Sequence, residues 1–348
     1  MTALDRAQGW AIPVAILVVA LGMLGLGLAA AGYDALSALS ALWRGSFGSA
    51  GVIASATLVR ATPLIIIALG FALAMRGGML NIGAEGQFYA GAIAATWVGL
   101  HLSGWPPLLA IGTTWLAAGV AGMLWVAVPV LLRLRYGVLE VISTLLLNFV
   151  AEALVSLMVQ GPLQERSGIY PQSDPIATSA QLPLIAGTRL HPGLFLGFAL
   201  AILLWYFFSR TLPGFRLIAT GAGPKAAAIS GRINVARIAA LALLVSGGMA
   251  GLAGATEVGG VSHALYPNLS PGYGFTAIAV ALLARLRPLG IVATGILFGG
   301  LEAGAAAMQR EAGVPAVIVY VVEAGVILGI LLADAARARR RALVGDEA

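Results

Sequence analysis

Long apolar stretches recur from one end of the chain to the other, separated by short polar or basic segments. A bilayer core about 30 Å thick is crossed by about 20 helical residues. By that length, candidate membrane spans lie near 10–32, 58–75, 82–101, 107–132, 138–160, 191–209, 237–258, 272–284, 288–308 and 314–334. The pattern predicts an all-α integral membrane protein with about ten transmembrane helices in a single domain over 1–348.

Two of these segments are irregular. The stretch at 272–284 is too short for a full crossing, and the marginal stretch at 58–75 ends in glycines after Arg76. Irregular backbone at membrane depth is tolerated only against protein or a water-filled cavity, and in transporters it often surrounds the pathway. Glycines also precede alanine-rich runs in both 77–95 and 272–284. We therefore predict a short or broken helix and a possible internal repeat.

The composition agrees with lipid as the solvent. The chain has 348 residues, 60% hydrophobic and 10% charged, whereas soluble domains carry about 25% charged residues. The net charge of +6 does not indicate a nucleic-acid partner, because the basic residues lie between apolar runs. With ten crossings, most of them fall on one side, which predicts cytoplasmic N- and C-termini. The first stretch exceeds the apolar region of a signal peptide, which favours a retained helix.

Two connections are long. The segment 161–190 would lie outside and contains four prolines, and it could be an ordered external cap or a flexible loop. The segment 210–236 would be cytoplasmic and basic, which by itself is a common determinant of topology. The chain has no cysteine, and its three histidines (His101, His191 and His263) have no metal-ligand spacing. The sequence therefore predicts neither a metal site nor an enzyme.

The segment from Arg76 to Tyr89 combines glycines with hydrogen-bonding side chains beside an apolar span. It reads Arg-Gly-Gly-Met-Leu-Asn-Ile-Gly-Ala-Glu-Gly-Gln-Phe-Tyr. Amide and carboxyl groups at membrane depth are costly, so they usually face a cavity or a partner. Two interpretations stay open: the polar side chains line a solute pathway, or they make interhelical bonds beside packing glycines.

A second informative segment runs from Pro213 to Asn234 in the inner loop. Pro224 suits the first turn of a helix, the three alanines after Lys225 favour helix, and Gly231 can end it. We predict a short helix of about one and a half to two turns outside the lipid. Such a helix can dock in a groove of a partner protein.

These two segments resemble the permease subunits of ATP-binding-cassette importers, in the branch that serves simple sugars and nucleosides. Gly-Gly-x-x-Asn-Ile-Gly-x-Glu-Gly-Gln at 77–87 resembles the characteristic segment of the nucleoside-type permeases. The stretch 214–254 resembles the cytoplasmic coupling loop of that family and the helix after it. The resemblance covers about 58–334.

The resemblance implies that transport requires a complex of several chains. A coupling helix would dock into an ATP-binding-cassette ATPase subunit that binds ATP and Mg, so this chain would carry no cofactor and no catalytic residue. A second permease, identical or similar, would complete the pathway in the bacterial inner membrane. An extracytoplasmic solute-binding protein would meet 161–190 and 259–271. The coupling helix would comprise Ala222, Gly223, Pro224, Lys225, Ala226, Ala227, Ala228, Ile229, Ser230, Gly231 and Arg232.

Candidate pathway residues are polar or aromatic groups in or beside the spans. Aromatic side chains can stack on a sugar or base face, and no intramembrane arginine cluster is present to neutralise a highly charged anion. A neutral polar solute is therefore favoured, and the resemblance implies a nucleoside, with a simple sugar next. Asn148 and Glu152 share a helix face and could pair or face the pathway. The candidates are Asn81, Glu85, Gln87, Phe88, Tyr89, Asn148, Phe149, Glu152, Tyr273, Phe275 and Thr276.

Other functions remain possible from the residues alone. An ion- or proton-coupled secondary transporter could use Glu85, Glu152 or Glu257 as proton sites, and a membrane scaffold would transport nothing. The stretch 221–225 lacks the spacing of a phosphate-binding loop, so ATP hydrolysis by this chain is not predicted. The glycine pairs Gly247/Gly251 and Gly295/Gly299 have small-xxx-small spacing, which predicts helix packing.

Overall fold

The regular structure in the described part of the chain is helical throughout. The computed structural model describes residues 22–231, 233–315 and 317–318. Residues 22–30 are helical. The helices that follow are α1 (Ala35–Phe47), α2 (Ala50–Arg76), α3 (Ala84–Leu100), α4 (Pro107–Tyr136), α5 (Glu140–Val159), α6 (Gly193–Arg210), α7 (Leu212–Ala222), α8 (Pro224–Gly231), α9 (Val235–Ser262), α10 (Tyr273–Leu283) and α11 (Pro288–Ala312).

Among the described residues, six helices are long and apolar enough to cross a membrane, namely α2, α4, α5, α6, α9 and α11. Helices α3 and α10 are shorter, with 17 and 11 residues. The all-helical membrane class is confirmed, but a count of about ten transmembrane helices is not. The predicted spans 10–32 and 314–334 lie mostly outside the described residues, as does the question of a retained first helix.

The structure corrects the prediction at the start of the second span. Helix α2 begins at Ala50 rather than near residue 58, after Ser49 accepts a hydrogen bond from the Val52 N–H at 3.2 Å. The prediction was too short because polar side chains lower the local hydropathy, although neighbours can cover them: Thr57 is fully buried. Helix α1 was missed altogether; the Asp34 carboxylate caps it.

The chain divides into two compact units, 1–53 with 300–348, and 54–299. In the first unit, α1 and the C-terminal end of α11 enclose an apolar cluster that includes Leu42 and Met308. The second unit contains the segments singled out by the sequence and is the one that positions the candidate site.

Helix α9 forms the centre of the second unit and packs against α2, α3 and α4. Its glycines allow backbones to touch: a Cβ on Gly251 would overlap the backbone of α4, and a Cβ on Gly91 would overlap Gly251 itself. A Cβ on Gly247 would also meet the α4 backbone, a Cβ on Gly299 would overlap the α2 backbone, and a Cβ on Gly295 would overlap the Ile65 side chain on α2. The predicted packing role of both glycine pairs is confirmed.

The segment 161–190, called the cap below, is hydrogen-bonded to the connection between α9 and α10. The Ser173 N–H donates to the Leu265 carbonyl at 2.8 Å, and the Leu265 N–H donates to the Ser173 hydroxyl at 2.9 Å. The Ile176 N–H donates to the His263 carbonyl at 2.8 Å. These bonds join the cap to the connection between α9 and α10.

Acid is expected to weaken this cap. His191, two residues before α6, is buried, and burial, followed by the charge of His263, lowers its pKa from 6.5 to about 4. Between those values the unfolded chain binds a proton that the folded chain does not, so stability falls as the pH falls. Amide hydrogen exchange over 173–182, corrected for intrinsic rates, should be faster at about pH 5 than at about pH 7.5.

A matched variant isolates the histidine. In His191→Asn the amide oxygen can still accept the hydrogen bond that the Gly193 N–H donates to the His191 Nδ1 at 3.3 Å, but the side chain no longer titrates. We expect this variant to lose most of the pH difference. An undiminished difference in His191→Asn would show that another group controls the cap.

Candidate functional site

Asn81 and Gln87 form a reciprocal amide pair just before and within the first turn of α3. Each side-chain NH₂ donates to the oxygen of the other amide at 2.8 Å. The Asn81 NH₂ also donates to the Ser246 hydroxyl on α9 at 2.9 Å. All three residues are buried. The pair therefore fastens the glycine-rich segment to the central helix, and its hydrogen-bonding capacity is largely used there.

Asn148 makes a second set of hydrogen bonds at the start of α3. Its side-chain oxygen accepts from the Gly86 N–H at 2.8 Å, and its NH₂ donates to the Ile82 carbonyl at 3.0 Å. These bonds connect α5 to backbone groups around the N-terminus of α3, which has few intrahelical partners. Asn148 is therefore turned toward α3 and not toward Glu152, with which the sequence also allowed it to pair.

Glu85 joins the starts of two helices. Its carboxylate accepts from the Gly274 N–H in the first turn of α10 at 2.6 Å and also bonds the Ser270 side chain. A carboxylate is favoured at a helix N-terminus, where free N–H groups concentrate positive charge. Helix α10 would extend for about 16 Å, roughly half of a bilayer core. The predicted short helix is confirmed.

The aromatic candidates around this point pack against one another. Ring centroids of Phe88 lie 5.7 Å from Tyr89 and 5.9 Å from Tyr273, both in edge-to-face arrangements. All three rings are buried. Such contacts stabilise the junction of α3 and α10. The predicted pathway residues thus separate into a buried group and an accessible one. The buried members are Asn81, Glu85, Gln87, Phe88, Tyr89, Asn148 and Tyr273, whereas Phe149, Glu152 and Phe275 are exposed and Thr276 is half-buried.

The predicted short helix of the inner loop is present as α8, Pro224–Gly231. Its bounds correct the sequence prediction at one end: Ala222 is the last residue of α7, and Gly223 separates the two helices. Helix α7 itself was missed. Arg232 lies outside the described residues. On α8, Ile229 is 83% exposed, whereas Ala227 is buried against its own chain at 8%.

Close backbone contact links the inner helices to the glycine-rich segment. A Cβ on Gly221 would overlap the Arg76 carbonyl, and Gly78, with φ +84°, lies against Gly221. The Arg76 guanidinium carbon is 4.6 Å from the centre of the Phe208 ring on α6. Movement of α7 would therefore act directly on the segment that leads into α3.

Comparison with known proteins agrees with this arrangement. Residues 53–331 match the family model described as "Branched-chain amino acid transport system / permease component". The chain is 34% identical to a glucose ABC transporter permease protein of Haloferax volcanii, covering 92% of this chain and 87% of that protein. It is 33% identical to a guanosine ABC transporter permease protein of Bacillus subtilis, covering 94% of each chain. It is 31% identical to a nucleoside ABC transporter permease protein of Lactococcus lactis, over 86% of this chain and 84% of that protein.

The chain belongs to this permease family. The resemblance inferred from 77–87 and 214–254 is thereby confirmed. Within the described ranges of the permease, no group of three or more histidine, aspartate or glutamate side chains is placed to hold a metal ion.

The sequence missed two exposed residues of the permease near the cap. Tyr266 and Asn268 lie in the connection between α9 and α10; Tyr266 is 36% exposed, and Asn268 is exposed with φ +60°. The signal that could have found them is Tyr-Pro-Asn, a polar, turn-forming stretch between two apolar spans.

Proposed function

We propose that this permease carries a nucleoside, with a simple sugar as the next candidate, across the bacterial inner membrane using ATP hydrolysed on a separate subunit. The proteins named above as permeases for guanosine, nucleosides and glucose support the solute class. The observation that carries the proposal is α8, a short exposed helix linked through α7 to the glycine-rich segment.

The remaining assembly is proposed on the same grounds. Ten crossings result when α3, the stretches 10–32 and 314–334, and α10 together with part of the connection before it are added to the six long apolar helices. Both termini then lie in the cytoplasm, together with 210–236. ATPase subunits that bind ATP and Mg meet α8, a second permease completes the pathway, and a solute-binding protein docks on the cap 161–190 and on 259–271.

The contacts between helices suggest how movement of the ATPase subunits reaches the membrane-spanning helices. Closure of the ATPase pair would push α8, and the tight contact of Gly221 with the Arg76 carbonyl would pass the displacement to 77–83. From there Asn81 transmits it to α9, and Glu85 transmits it to α10. Packed backbones shift as rigid pieces rather than deform continuously, so a small push can become a change of access.

Ion-coupled transport is the less favoured function. Glu85, which would be one proton site of such a carrier, already accepts a backbone hydrogen bond from Gly274. The family match supports an ATP-driven importer instead.

Ile229 provides the test of the proposal. Ile229→Asp places a charge on the exposed face of α8 without burying it, so folding should be preserved while docking into an apolar groove is lost. We expect the ATPase to stop co-purifying with the permease and nucleoside uptake to fall to background. The control is Ile229→Leu, which keeps the apolar surface and should retain both. Undiminished uptake in Ile229→Asp, or uptake without any ATPase, would refute ATP-driven transport through α8.

A further inference from the structure

Helix α5 presents three different stripes of side chains. One is buried and comprises Thr144, Asn148, Ala151 and Val155. The other two are accessible at least in part and differ in chemistry. An apolar stripe comprises Leu146, Val150, Ala153 and Leu157, and a polar stripe comprises Phe149, Glu152, Ser156 and Gln160. The three- and four-residue spacing places the members of each stripe above one another.

The depth of Glu152 indicates what the polar stripe faces. Glu152 follows Glu140, the first residue of α5, by about 18 Å of helix and precedes the last, Val159, by about 10 Å. An exposed carboxylate at that depth is costly against hydrocarbon, so it faces water or a polar partner. The apolar stripe, by contrast, suits lipid. Helix α5 therefore stands at a border between lipid and a polar space.

The connection between α9 and α10 also carries exposed polar side chains and contacts α3. The Tyr89 hydroxyl on α3 donates to the Ser270 carbonyl in that connection at 3.5 Å, and α3 packs against α5. Tyr266 and Asn268 are exposed there. Helix α5 and this connection thus both meet α3, the helix that carries Glu85 and Tyr89.

We propose that the polar stripe of α5 is the surface that the solute passes, with Phe149 stacking on a planar ring and Glu152 accepting hydrogen bonds from a pair of neighbouring hydroxyls. Phe149 is 61% exposed and lies one turn before Glu152 on the same stripe. A ribonucleoside has both features, namely a flat base and a vicinal diol, and a carboxylate has two acceptor oxygens for such a diol. The inference rests on the proposed function and makes it more specific.

The absence of cysteine from the sequence allows a direct test with single-cysteine variants. Phe149→Cys and Ser156→Cys sample the polar stripe, and Leu146→Cys and Leu157→Cys are matched controls on the apolar stripe. Each is assembled with its ATPase and binding protein in vesicles. A charged, water-soluble thiol reagent is applied with and without ATP and vanadate, so that both access states are sampled. We expect the two polar-stripe cysteines to react in at least one state and the two controls to remain unreactive in both.

Protection during turnover then identifies the solute contact. Guanosine should slow labelling of Ser156→Cys, which lies one turn after Glu152 and keeps both Phe149 and Glu152. Its 2′,3′-dideoxy analogue should give protection that is weaker by about tenfold or more, because it lacks the two hydroxyls that would donate hydrogen bonds to the charged carboxylate. In Ser156→Cys combined with Glu152→Gln, that difference between the two nucleosides should shrink, whereas in Ser156→Cys combined with Phe149→Ala protection by both nucleosides should weaken.

The outcomes separate this inference from the proposed function. Unreactive polar-stripe cysteines in a complex that still takes up nucleoside would overturn the stripe alone, as would disulfide formation between two permease chains at Ser156→Cys. A different result would be that glucose blocks labelling and guanosine does not. That result would overturn the proposal that the solute is a nucleoside and the stacking role of Phe149, but the stripe would remain the pathway.

Discussion

Replacing Gly251 with valine is expected to abolish the folded permease. The added Cβ alone would overlap the Ala118 carbonyl and lie 3.1 Å from the Gly122 Cα, and both are backbone atoms. Overpacking costs about 1–3 kcal/mol where side chains can move aside. Here α4 itself would have to move away from α9, so we expect a loss above that range, which is a large part of a typical total stability of about 5–15 kcal/mol.

The measurement is the yield of a monodisperse peak in detergent on size exclusion, together with the melting temperature of any material recovered. Gly112→Val is the matched control: Gly112 lies on α4, the helix that Gly251 of α9 contacts, but it has no heavy atom within 4 Å of the position of an added Cβ. It should express and melt like the parent. Normal yield and melting of Gly251→Val would show that the close contact of α4 and α9 does not hold the bundle together.

Removal of the Glu85 carboxylate is expected to disable transport. In Glu85→Ala the Gly274 N–H and the Ser270 hydroxyl lose their acceptor in a buried site. Each unsatisfied buried group costs about 1–3 kcal/mol. Because those groups lie at the start of α10, we expect α10 to lose its fixed position relative to α3 and nucleoside uptake to fall by about tenfold or more.

Glu85→Gln separates two explanations of such a loss. Its amide oxygen can accept the Gly274 N–H, so a positioning role predicts substantial uptake and a melting temperature near that of the parent. A proton site would instead be disabled in both variants, because glutamine cannot titrate. Complete loss of uptake in a well-folded Glu85→Gln protein would therefore contradict the positioning role and revive coupling to protons.

The site shows why polar residues in apolar helices are hard to interpret from the chain alone. Asn148 and Glu152 are one helical turn apart on α5 and both looked like pathway residues. In the structure Asn148 bonds backbone atoms around α3, whereas Glu152 is exposed. Only a small rotation about the helix axis separates them, and the position of α3 determines which one finds a partner.

The helices of the inner loop were also only partly predictable from the sequence. Proline at 224 and the alanines after it were sufficient to predict α8, because capping and helix propensity are local properties. Which alanine faces solvent was not predictable, and Ala227 proved to be buried while Ile229 is exposed. Helix α7 was missed because its glycines and its proline have low helix propensity. In the folded chain, contact with the backbone from Arg76 to Gly78 supports this helix.

The sequence by itself determined that lipid surrounds the protein, that the fold is helical, which glycines pack helices together and to which permease family the chain belongs. These follow from composition, from the length of apolar runs and from motifs that are contiguous in the chain. Tertiary structure decided that Asn81 and Gln87 fasten α3 to α9, that 161–190 is hydrogen-bonded to the connection between α9 and α10 and that one stripe of α5 is polar and accessible. The reason is that a hydrogen-bonding side chain acts through its nearest partner, and distant parts of the chain supply that partner only after folding.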